Sequence, residues 1–464
     1  MPAPVPCCVD VPAGGALLRY GLTELLRGLG LAPAWGRRDD ARLGLVSEAE
    51  GEDLWKVSAH ALADLATPRL PAVADLGWAE IGGERWPIPV GPPGETAHPG
   101  DLVAGAAWWL VGLQEHAIAE RDRHGRVPFQ RTLQAALGDA PGGPLRPAVD
   151  AMRGWLADQL RAVGVPRRTW GGAPWAVALS HDLDAVRTRR LRAFAGSLVR
   201  GRVAEAARRG VGPDRRRASI DALHALAGRH GTAATWFAKP GAWAPEDVPG
   251  GLDPWLVERL RRWEGDGHEV GWHPGYGAHA SPRKLAVEWG RFEDAFRHPP
   301  RLARTHFLRW AEPPTPGLLR GLGVRLDSTL GFAEHEGFRR GTALPFPLFD
   351  LRADAPTDLW EMPLAVMDTT LTDYRALDAE GQAEALDRVF DAARASGGVA
   401  VVLWHNQVGA DTVGWAARLD TLDLALGRAR AAGARVGPLG ALLEGWRSGS
   451  AEDQMRARPD APMA

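Results

Sequence analysis

The segment WAVALSHDLD, residues 175–184, places a short apolar run directly before a cluster of acidic and imidazole side chains. The apolar part, Trp175–Leu179, has the length of a buried strand, and Ser180-His181-Asp182-Leu183-Asp184 follows it at once. In folds built from parallel strands, the chemistry lies at the carboxyl ends of the strands. The segment therefore predicts the first strand of a parallel sheet, with a functional site where that strand ends.

Similar apolar runs recur along the rest of the chain and alternate with amphipathic helical stretches. The further runs are Ala233–Ala238, Glu269–His273, Leu302–Leu308, Val324–Ser328, Leu359–Val366, Val399–Trp404 and Ala434–Val436. The helical stretches are Ser219–Arg229, Pro254–Trp263, Pro282–Phe296, Pro316–Leu322, Glu380–Ala395 and Trp415–Ala431. Alternation of this kind favours right-handed strand–helix–strand crossovers in a parallel sheet. Seven or eight such units predict an α/β fold, a complete or distorted (β/α) barrel.

The first 165 residues have a different rhythm and are predicted to form a smaller N-terminal accessory domain, α/β or mostly helical. Helical patterns cover Leu17–Leu29, Asp101–Arg121 and Arg146–Val163. The stretch Pro68–Pro99 is rich in Pro and Gly, which indicates loop with short strands.

The segment Val163–Pro174 is predicted to be a linker. Residues 166–450 then form the main domain, and residues 451–464 a flexible C-terminal tail.

Composition limits the classes of function. With 464 residues, 45% hydrophobic and 24% charged, the chain is typical of a soluble globular protein of two or three domains. A formal net charge of -2 gives no reason to expect nucleic acid as a partner. No apolar run approaches the ~18 residues of a membrane span. Because the start lacks the features of a secretory signal, we expect a cytoplasmic location. The adjacent Cys7 and Cys8 match neither a disulfide framework nor an ordinary zinc motif.

Polar side chains at the ends of four apolar runs indicate where the chemistry lies. Asp182 and Asp184 follow the first run, and His273 ends the third. The fourth contains Arg304-Thr305-His306, and the seventh is followed by His405. Carboxylate and imidazole together suit a divalent ion such as Zn²⁺ with an open position for water. Such an ion acidifies water and polarises a carbonyl, while a carboxylate and a histidine can serve as base and acid. The pattern predicts hydrolysis of an amide or ester.

The order of these motifs resembles that of the NodB-like polysaccharide deacetylases, which are similar to carbohydrate esterase family 4. The resemblance covers about residues 174 to 445 and includes further segments. These are Leu326–Phe332, Gly337–Thr342, Glu361–Leu364 and Met367-Asp368. Upstream, Asp122–Arg126 resembles the N-terminal region that accompanies one bacterial subgroup. The resemblance implies a metal-dependent hydrolase that removes acetyl groups from an N- or O-acetylated sugar or polysaccharide.

The resemblance also implies a role for each matching residue. Asp182 corresponds to the catalytic base and His405 to the general acid. Asp184 and His273 correspond to metal ligands, and Arg304 to the arginine that orients the base.

One position departs from the family pattern. The second metal histidine is expected four residues after His273, where this chain has Gly277. We expect His306 to replace it, with His279 as the alternative, and His181 as a further neighbour that binds the metal or forms an orienting hydrogen bond. The cofactor expected is Zn²⁺, with Co²⁺ or Ni²⁺ as alternatives.

A second hypothesis follows from the same departure. The chain could be a degenerate deacetylase domain that binds saccharide or acts as a scaffold, with no catalysis. Asp182, Asp184, His273 and His405 argue for the enzyme, because a binding module needs neither acid nor base. For the enzyme, a cytoplasmic location would favour a soluble glycan precursor or saccharide conjugate as the substrate. Because relatives also hydrolyse other C–N bonds, the acetyl group is implied by resemblance only.

Overall fold

The computed structural model describes most of the chain, and the functional region lies within the described part. The described residues are 3–11, 15–37, 41, 43–46, 54–160, 168–186, 214–248, 251–406 and 412–448. The predicted tail 451–464 and residues 163–167 of the predicted linker lie outside them. Among the described residues, no helix combines the length and apolar character needed to cross a membrane.

The N-terminal region contains a four-stranded parallel sheet, a hairpin and several helices, so the α/β alternative is correct. The strands are β1 (Ala3–Asp10), β2 (Leu31–Trp35), β3 (Leu43–Val46), β4 (Leu54–Lys56), β5 (Gly77–Ile81) and β6 (Glu84–Ile88). The helices are α1 (Gly15–Gly28), α2 (Ala59–Ala66), α3 (Pro99–Val111), α4 (Leu113–Ala117), α5 (Leu133–Leu137) and α6 (Ala148–Gln159). The parallel strands lie in the order β2-β1-β3-β4, and β5 and β6 form the antiparallel hairpin.

The prediction of one continuous helix from Asp101 to Arg121 is wrong, because Gly112 separates α3 from α4. Gly112 has φ 74°, a left-handed conformation in which glycine is favoured. The Arg340 guanidinium also passes through the space that a Cβ of this residue would occupy. Both the backbone angle and this close approach require a glycine here.

The remaining strands and helices form the predicted distorted barrel. The strands are β7 (Trp175–Leu183), β8 (Thr235–Ala238), β9 (Glu269–Trp272), β10 (Leu302–Ala303), β11 (Leu326–Asp327), β12 (Phe346–Asp350), β13 (Ala355–Glu361), β14 (Leu364–Met367), β15 (Val399–Leu403) and β16 (Ala434–Gly437). The helices are α7 (Arg215–Arg229), α8 (Pro254–Gly265), α9 (Pro282–Phe296), α10 (Pro314–Gly321), α11 (Ala379–Ser396), α12 (Thr412–Ala431) and α13 (Leu439–Ser448).

The sheet of this region is curled and parallel except at one edge. Its strand order is β12-β13-β11-β10-β9-β8-β7-β15-β14, and β16 pairs with the first half of β7. Only β12 and β13 pair antiparallel. Because β12 and β14 end the path without pairing with each other, the described strands form an open, distorted barrel.

Two predicted strands differ from the structure. The run Leu302–Leu308 gives a strand only as far as Ala303, and Phe307 takes a left-handed conformation with φ 60°. The run Leu359–Val366 divides into β13 and β14, which lie in different parts of the sheet. Pro363 stands at the division, and proline has no N–H to continue a ladder.

Glu269 lies at the amino ends of the strands, where it has a structural role. It begins β9, and its carboxylate accepts hydrogen bonds from the backbone N–H groups of Gly440 and Ala441 at 2.8 and 2.7 Å. It therefore caps the first turn of α13 at the amino ends of the strands. As expected from a rise of about 3.3 Å per residue, it lies away from His273 at the other end of β9.

The N-terminal region packs against the barrel through one continuous hydrophobic core. Buried residues from α1 and α3 belong to the same cluster as the interior of the barrel. The hydroxyl of Tyr20 on α1 donates to the carbonyl of Pro347 on β12 at 2.7 Å. The division into domains near residue 165 stays a prediction.

Candidate active site

Strand β7 places both aspartates of the first motif on one face. Side chains alternate along a strand, so Ser180, Asp182 and Asp184 share a side and His181 points to the other. The His181 ring lies 4.4 Å from the Trp236 ring, and its Nδ1 donates to the carbonyl of Trp404 at 2.9 Å. Burial lowers the pKa of His181 to about 3, so this residue is a neutral packing and anchoring side chain.

Three side chains from three different strand ends form a triangle of candidate ligand atoms. Asp184 Oδ1 lies 3.2 Å from His273 Nε2 and 3.2 Å from His306 Nδ1. The two histidine nitrogens are also 3.2 Å apart. All three residues are buried.

The triangle fits a divalent ion. A tetrahedral ion with bonds of about 2.0–2.1 Å separates its ligand atoms by about 3.3–3.4 Å, close to the spacing here. One carboxylate oxygen and two imidazole nitrogens are also a donor set typical of zinc. Three protein ligands leave a further coordination position for water or substrate. The donor chemistry and the spacing therefore agree.

His273 is held with its ligand atom directed at the triangle. Its Nδ1 donates to the carbonyl of Arg304 at 2.6 Å, so Nε2 is the ring nitrogen that faces Asp184. The partner carbonyl belongs to the residue that follows β10, so two strand ends fix this ring together.

His306 reaches the triangle because the chain turns after β10. Phe307, the next residue after His306, adopts a left-handed conformation. The backbone N–H of His306 donates to the carbonyl of Pro274. Burial lowers the pKa of His306 well below its ordinary value and so favours the neutral form that a metal ligand requires. Its Nε2 lies 3.9 Å from Asp247 Oδ1, and Asp247 pairs with the fully buried Lys239 at 3.5 Å.

Asp184 is ionised. Although burial opposes its charge, His306, His273 and His405 hold the pKa of Asp184 well below its usual range. A carboxylate at one corner of the triangle supplies the negative charge that a divalent ion requires.

Asp182 lies beside the triangle and is oriented by a buried arginine. Arg304 Nη1 donates to Asp182 Oδ1 at 3.0 Å and to Ser180 Oγ at 2.9 Å. Arg304 is itself fixed by Ser328, whose carbonyl and hydroxyl accept at 2.9 and 3.0 Å. The other oxygen, Oδ2, lies 3.7 Å from His273 Nε2. One oxygen of Asp182 is thus anchored, and the other faces the proposed reaction centre.

His405 lies beside the second carboxylate oxygen of Asp184. Its Nε2 is 3.9 Å from Asp184 Oδ2, and its Nδ1 donates to Asp368 Oδ1 at 2.5 Å. Despite burial, the carboxylates of Asp368, Asp184 and Asp182 raise the pKa of His405 to about 10. In these surroundings the ring is protonated and can act as an acid.

His279 is not brought into the triangle. It lies in the turn after β9, burial lowers its pKa to about 4, and its backbone carbonyl accepts from Thr315. Of the two candidates for the missing histidine, His306 is the one whose ring adjoins Asp184 and His273.

A cavity of about 330 Å³ opens onto these groups. Asp182, Asp184, His273, His306 and His405 form its floor. Three apolar side chains and several polar or aromatic ones form its walls and rim. These are Leu308, Met367 and Leu403, followed by Arg123, Arg126, Phe307, Thr369, Asp373 and Tyr374.

Sequence reasoning missed two contributions to the site. It gave no role to Asp368, although Asp368 directly follows β14 and so obeys the strand-end rule used for the other residues. It also missed that Asp122–Arg126 in the N-terminal region reaches the cavity, for which the sequence has no signal.

Asp327 and Glu361, which occupy neighbouring positions of β11 and β13, form a side-chain hydrogen bond with each other. Both are fully buried, and Arg339 binds Glu115. Burial raises the pKa of Asp327 to about 6, and burial together with Asp327 raises the pKa of Glu361 well above its ordinary value. The two carboxyl groups therefore share a proton.

Comparisons with known proteins find similarity among solved structures. No family model matches the chain, and no curated protein does. A putative polysaccharide deacetylase from Mycobacterium smegmatis is 18% identical, with a TM-score of 0.41 over 63% of this chain and 95% of that one. A probable polysaccharide deacetylase from Pseudomonas aeruginosa PAO1 is 16% identical, with a TM-score of 0.42 over 62% and 96%.

A third similar structure is BA3943, a CE4 family pseudoenzyme from Bacillus anthracis, at 13% identity and a TM-score of 0.31 over 58% of this chain and 65% of that one. The names of the first two structures are those of polysaccharide deacetylases, the class that the motifs indicated.

Proposed function

We propose that this chain is a metal-dependent hydrolase that removes acetyl groups from an N- or O-acetylated saccharide. The observation that carries the proposal is the triangle of Asp184, His273 and His306, with an oriented carboxylate and a protonated histidine beside it. Asp184, His273 and His306 would hold the ion, with Zn²⁺ the first choice and Co²⁺ or Ni²⁺ as alternatives. When bound, the ion would supply Lewis-acid chemistry and lower the pKa of water.

Asp182 is the proposed base. Because Arg304 occupies Oδ1, Oδ2 is the atom that accepts a proton from the attacking water. The buried guanidinium keeps the carboxylate in one orientation throughout the reaction.

His405 is the proposed acid. Its Nδ1–H remains bonded to Asp368, so the Nε2–H is the proton delivered to the departing amine or hydroxyl. Asp182 Oδ2 lies 3.7 Å from His273 Nε2, and His405 Nε2 lies 3.9 Å from Asp184 Oδ2. The base and the acid thus adjoin different members of the triangle, so one can act on water and the other on the leaving group.

The cavity wall fits an acetyl group. Leu308, Met367 and Leu403 line the same cavity as the acid and the base, and they offer apolar surface for a methyl group. The cytoplasmic location expected from the sequence stays a prediction. It would favour a soluble saccharide precursor or conjugate as the substrate.

The first experiment measures bound metal in the full chain purified without chelator, beside His306→Ala and the matched variant His279→Ala. We expect about one Zn²⁺, Co²⁺ or Ni²⁺ per native chain. Loss of an outer partner of a metal ligand costs about 10–100-fold in affinity, so loss of the ligand itself in His306→Ala should cost at least about 100-fold. His279→Ala should bind like the native chain.

Acetate release from a panel of acetylated sugars then tests the reaction. Release that requires Asp182 would support the hydrolase. A native chain that stays metal-free after incubation with these ions, or that loses its metal through His279→Ala instead, would contradict the proposed site. That result would favour the saccharide-binding or scaffold hypothesis.

A further inference from the structure

The turn Asp122–Arg126 brings part of the N-terminal region to the rim of the cavity. Asp122 Oδ1 accepts from the backbone N–H groups of His124 and Arg126 at 2.8 and 2.9 Å, and Gly125 has φ 78°. These bonds close a tight turn. Two of its five side chains, Arg123 and Arg126, line the cavity that also contains Asp182 and His405.

Arg126 attaches the turn to the barrel and is fully occupied in doing so. Its guanidinium forms an ion pair with Asp122 at 2.6 Å and donates to the carbonyl of Phe307 at 3.3 Å and to the hydroxyl of Tyr374 at 3.1 Å. The residue is buried. Its charge is therefore balanced locally, and its role is to hold the turn.

Arg123 is held differently. Its Nε donates to Nε2 of His124 at 2.9 Å, and His124 in turn packs 4.5 Å from the Phe307 ring, with Nδ1 3.1 Å from the hydroxyl of Tyr276. Because Nε2 accepts, Nδ1 carries the proton, so one neutral tautomer satisfies both bonds. The arginine is exposed at the rim.

The two terminal nitrogens of Arg123 take part in none of the ion pairs found among the described residues. Among the described residues, no acidic side chain forms an ion pair with Arg123, whereas Arg126 and Arg131 each have one. Asp373, the acidic residue of the rim, accepts from the hydroxyl of Thr372. A guanidinium fixed through Nε presents its remaining donors in the fork that matches a carboxylate or phosphate.

We propose that Arg123 is a specificity-determining residue that binds an anionic group, carboxylate or phosphate, on the saccharide. The inference rests on the proposed function, because it names the class of saccharide that the same cavity accepts. It also gives the N-terminal region a role: the turn completes the substrate-binding site.

The test compares binding of three acetylated sugars to the full chain by calorimetry: N-acetylglucosamine, its 6-phosphate, and N-acetylmuramic acid, which carries a carboxylate. The variants are Arg123→Gln and, as a matched control, Arg131→Gln, which removes the same charge from an exposed pair with Glu120.

We expect at least one charged sugar to bind the native chain about tenfold more tightly than the neutral sugar, as one charge-assisted pair allows. Arg123→Gln should abolish that preference and leave binding of the neutral sugar within about twofold, whereas Arg131→Gln should keep the preference. Which anion is preferred identifies the group. Equal or absent binding of the charged sugars, or an equal loss for charged and neutral sugars in Arg123→Gln, would overturn the inference.

Because sugar binding and acetate release are measured in separate experiments, the two proposals fail separately. An anion preference that depends on Arg123, without acetate release, would contradict only the hydrolase. Acetate release from neutral sugars alone would contradict only the role of Arg123.

Discussion

At the candidate site, the carboxylate of Asp368 holds His405 through two hydrogen bonds. The bond of 2.5 Å fixes the ring, and the carboxylate also accepts the backbone N–H of His405 at 3.2 Å. The side chain of Asp368 thus holds both the ring and the backbone of His405. The consequence is a histidine whose position and charge both depend on a residue outside the ligand triangle.

Asp368→Asn should lower kcat and shift its pH dependence. The carboxylate raises the pKa of His405, so its removal lowers that pKa, and the acid form is lost at a lower pH. The alkaline limb of kcat should move to lower pH, and kcat should fall by roughly 10–100-fold, within the range for a positioned acid. Steady-state kinetics across pH measure both effects. Asp391→Asn, at an exposed pair with Arg394, is the control; a lower kcat with an unmoved alkaline limb would argue that Asp368 only packs.

At the scale of the elements, β11 and β13 are adjacent parallel strands that bury an acidic pair between them. Asp327 pairs in register with Glu361. The backbone N–H groups of Thr329 and Leu330 donate to these carboxyls at 2.8 and 2.9 Å. The strand pairing therefore brings two carboxyl groups together in the core, and burial favours their protonated forms.

Glu361→Gln should make stability less dependent on pH. Both carboxyls bind a proton more tightly in the folded chain, so the contribution of this pair to stability is fully present at low pH and is lost as pH rises from about 4 past about 6. The amide can donate to Asp327 without a proton to lose. Between pH 5 and 8 the free energy of unfolding should fall by about 1–3 kcal/mol more in the native chain than in the variant. Denaturation by urea at both pH values measures the free energy of unfolding of each protein. If that free energy fell equally in the native chain and in the variant, the result would contradict the shared proton.

At the scale of the whole molecule, a buried ion-pair cluster joins the N-terminal region to the barrel. Glu115 on α4 forms two bonds with Arg339, at 2.7 and 2.8 Å, and lies near Arg340. Although burial opposes its charge, these arginines lower the pKa of Glu115 to about 2. Because the pair is buried, removal of either side chain would leave the other charge buried and would destabilise the fold.

Glu115→Ala should therefore destabilise the whole chain by about 3–5 kcal/mol, because two arginines would stay buried with less compensation. The control is Glu120→Ala, at an exposed pair with Arg131, which should cost no more than about 1 kcal/mol. Urea denaturation followed by tryptophan fluorescence and by far-ultraviolet circular dichroism measures both. A single transition shifted for both probes is expected. A change confined to one part of a two-step transition would show that the regions unfold independently.

The sequence by itself determined the alternation of strands and helices, and with it the barrel. Periodicity of apolar residues is local, so the bounds of α9 at Pro282–Phe296 were predicted without error. It also determined which residues end the strands, and this was enough to select Asp182, Asp184, His273, Arg304 and His405.

The tertiary structure decided the contacts that depend on pairs of distant elements. The sequence favoured His306 over His279, but the approach of the His306 ring to Asp184 and His273 depends on the turn at Phe307, whose left-handed conformation no apolar pattern reports. Asp368 was present at a strand end, but its partner is 37 residues away on a neighbouring strand. The approach of Asp122–Arg126 to the cavity follows from how the N-terminal region packs. Side-chain periodicity specifies which face of an element is buried, whereas the partner of that face is chosen by packing of the whole chain.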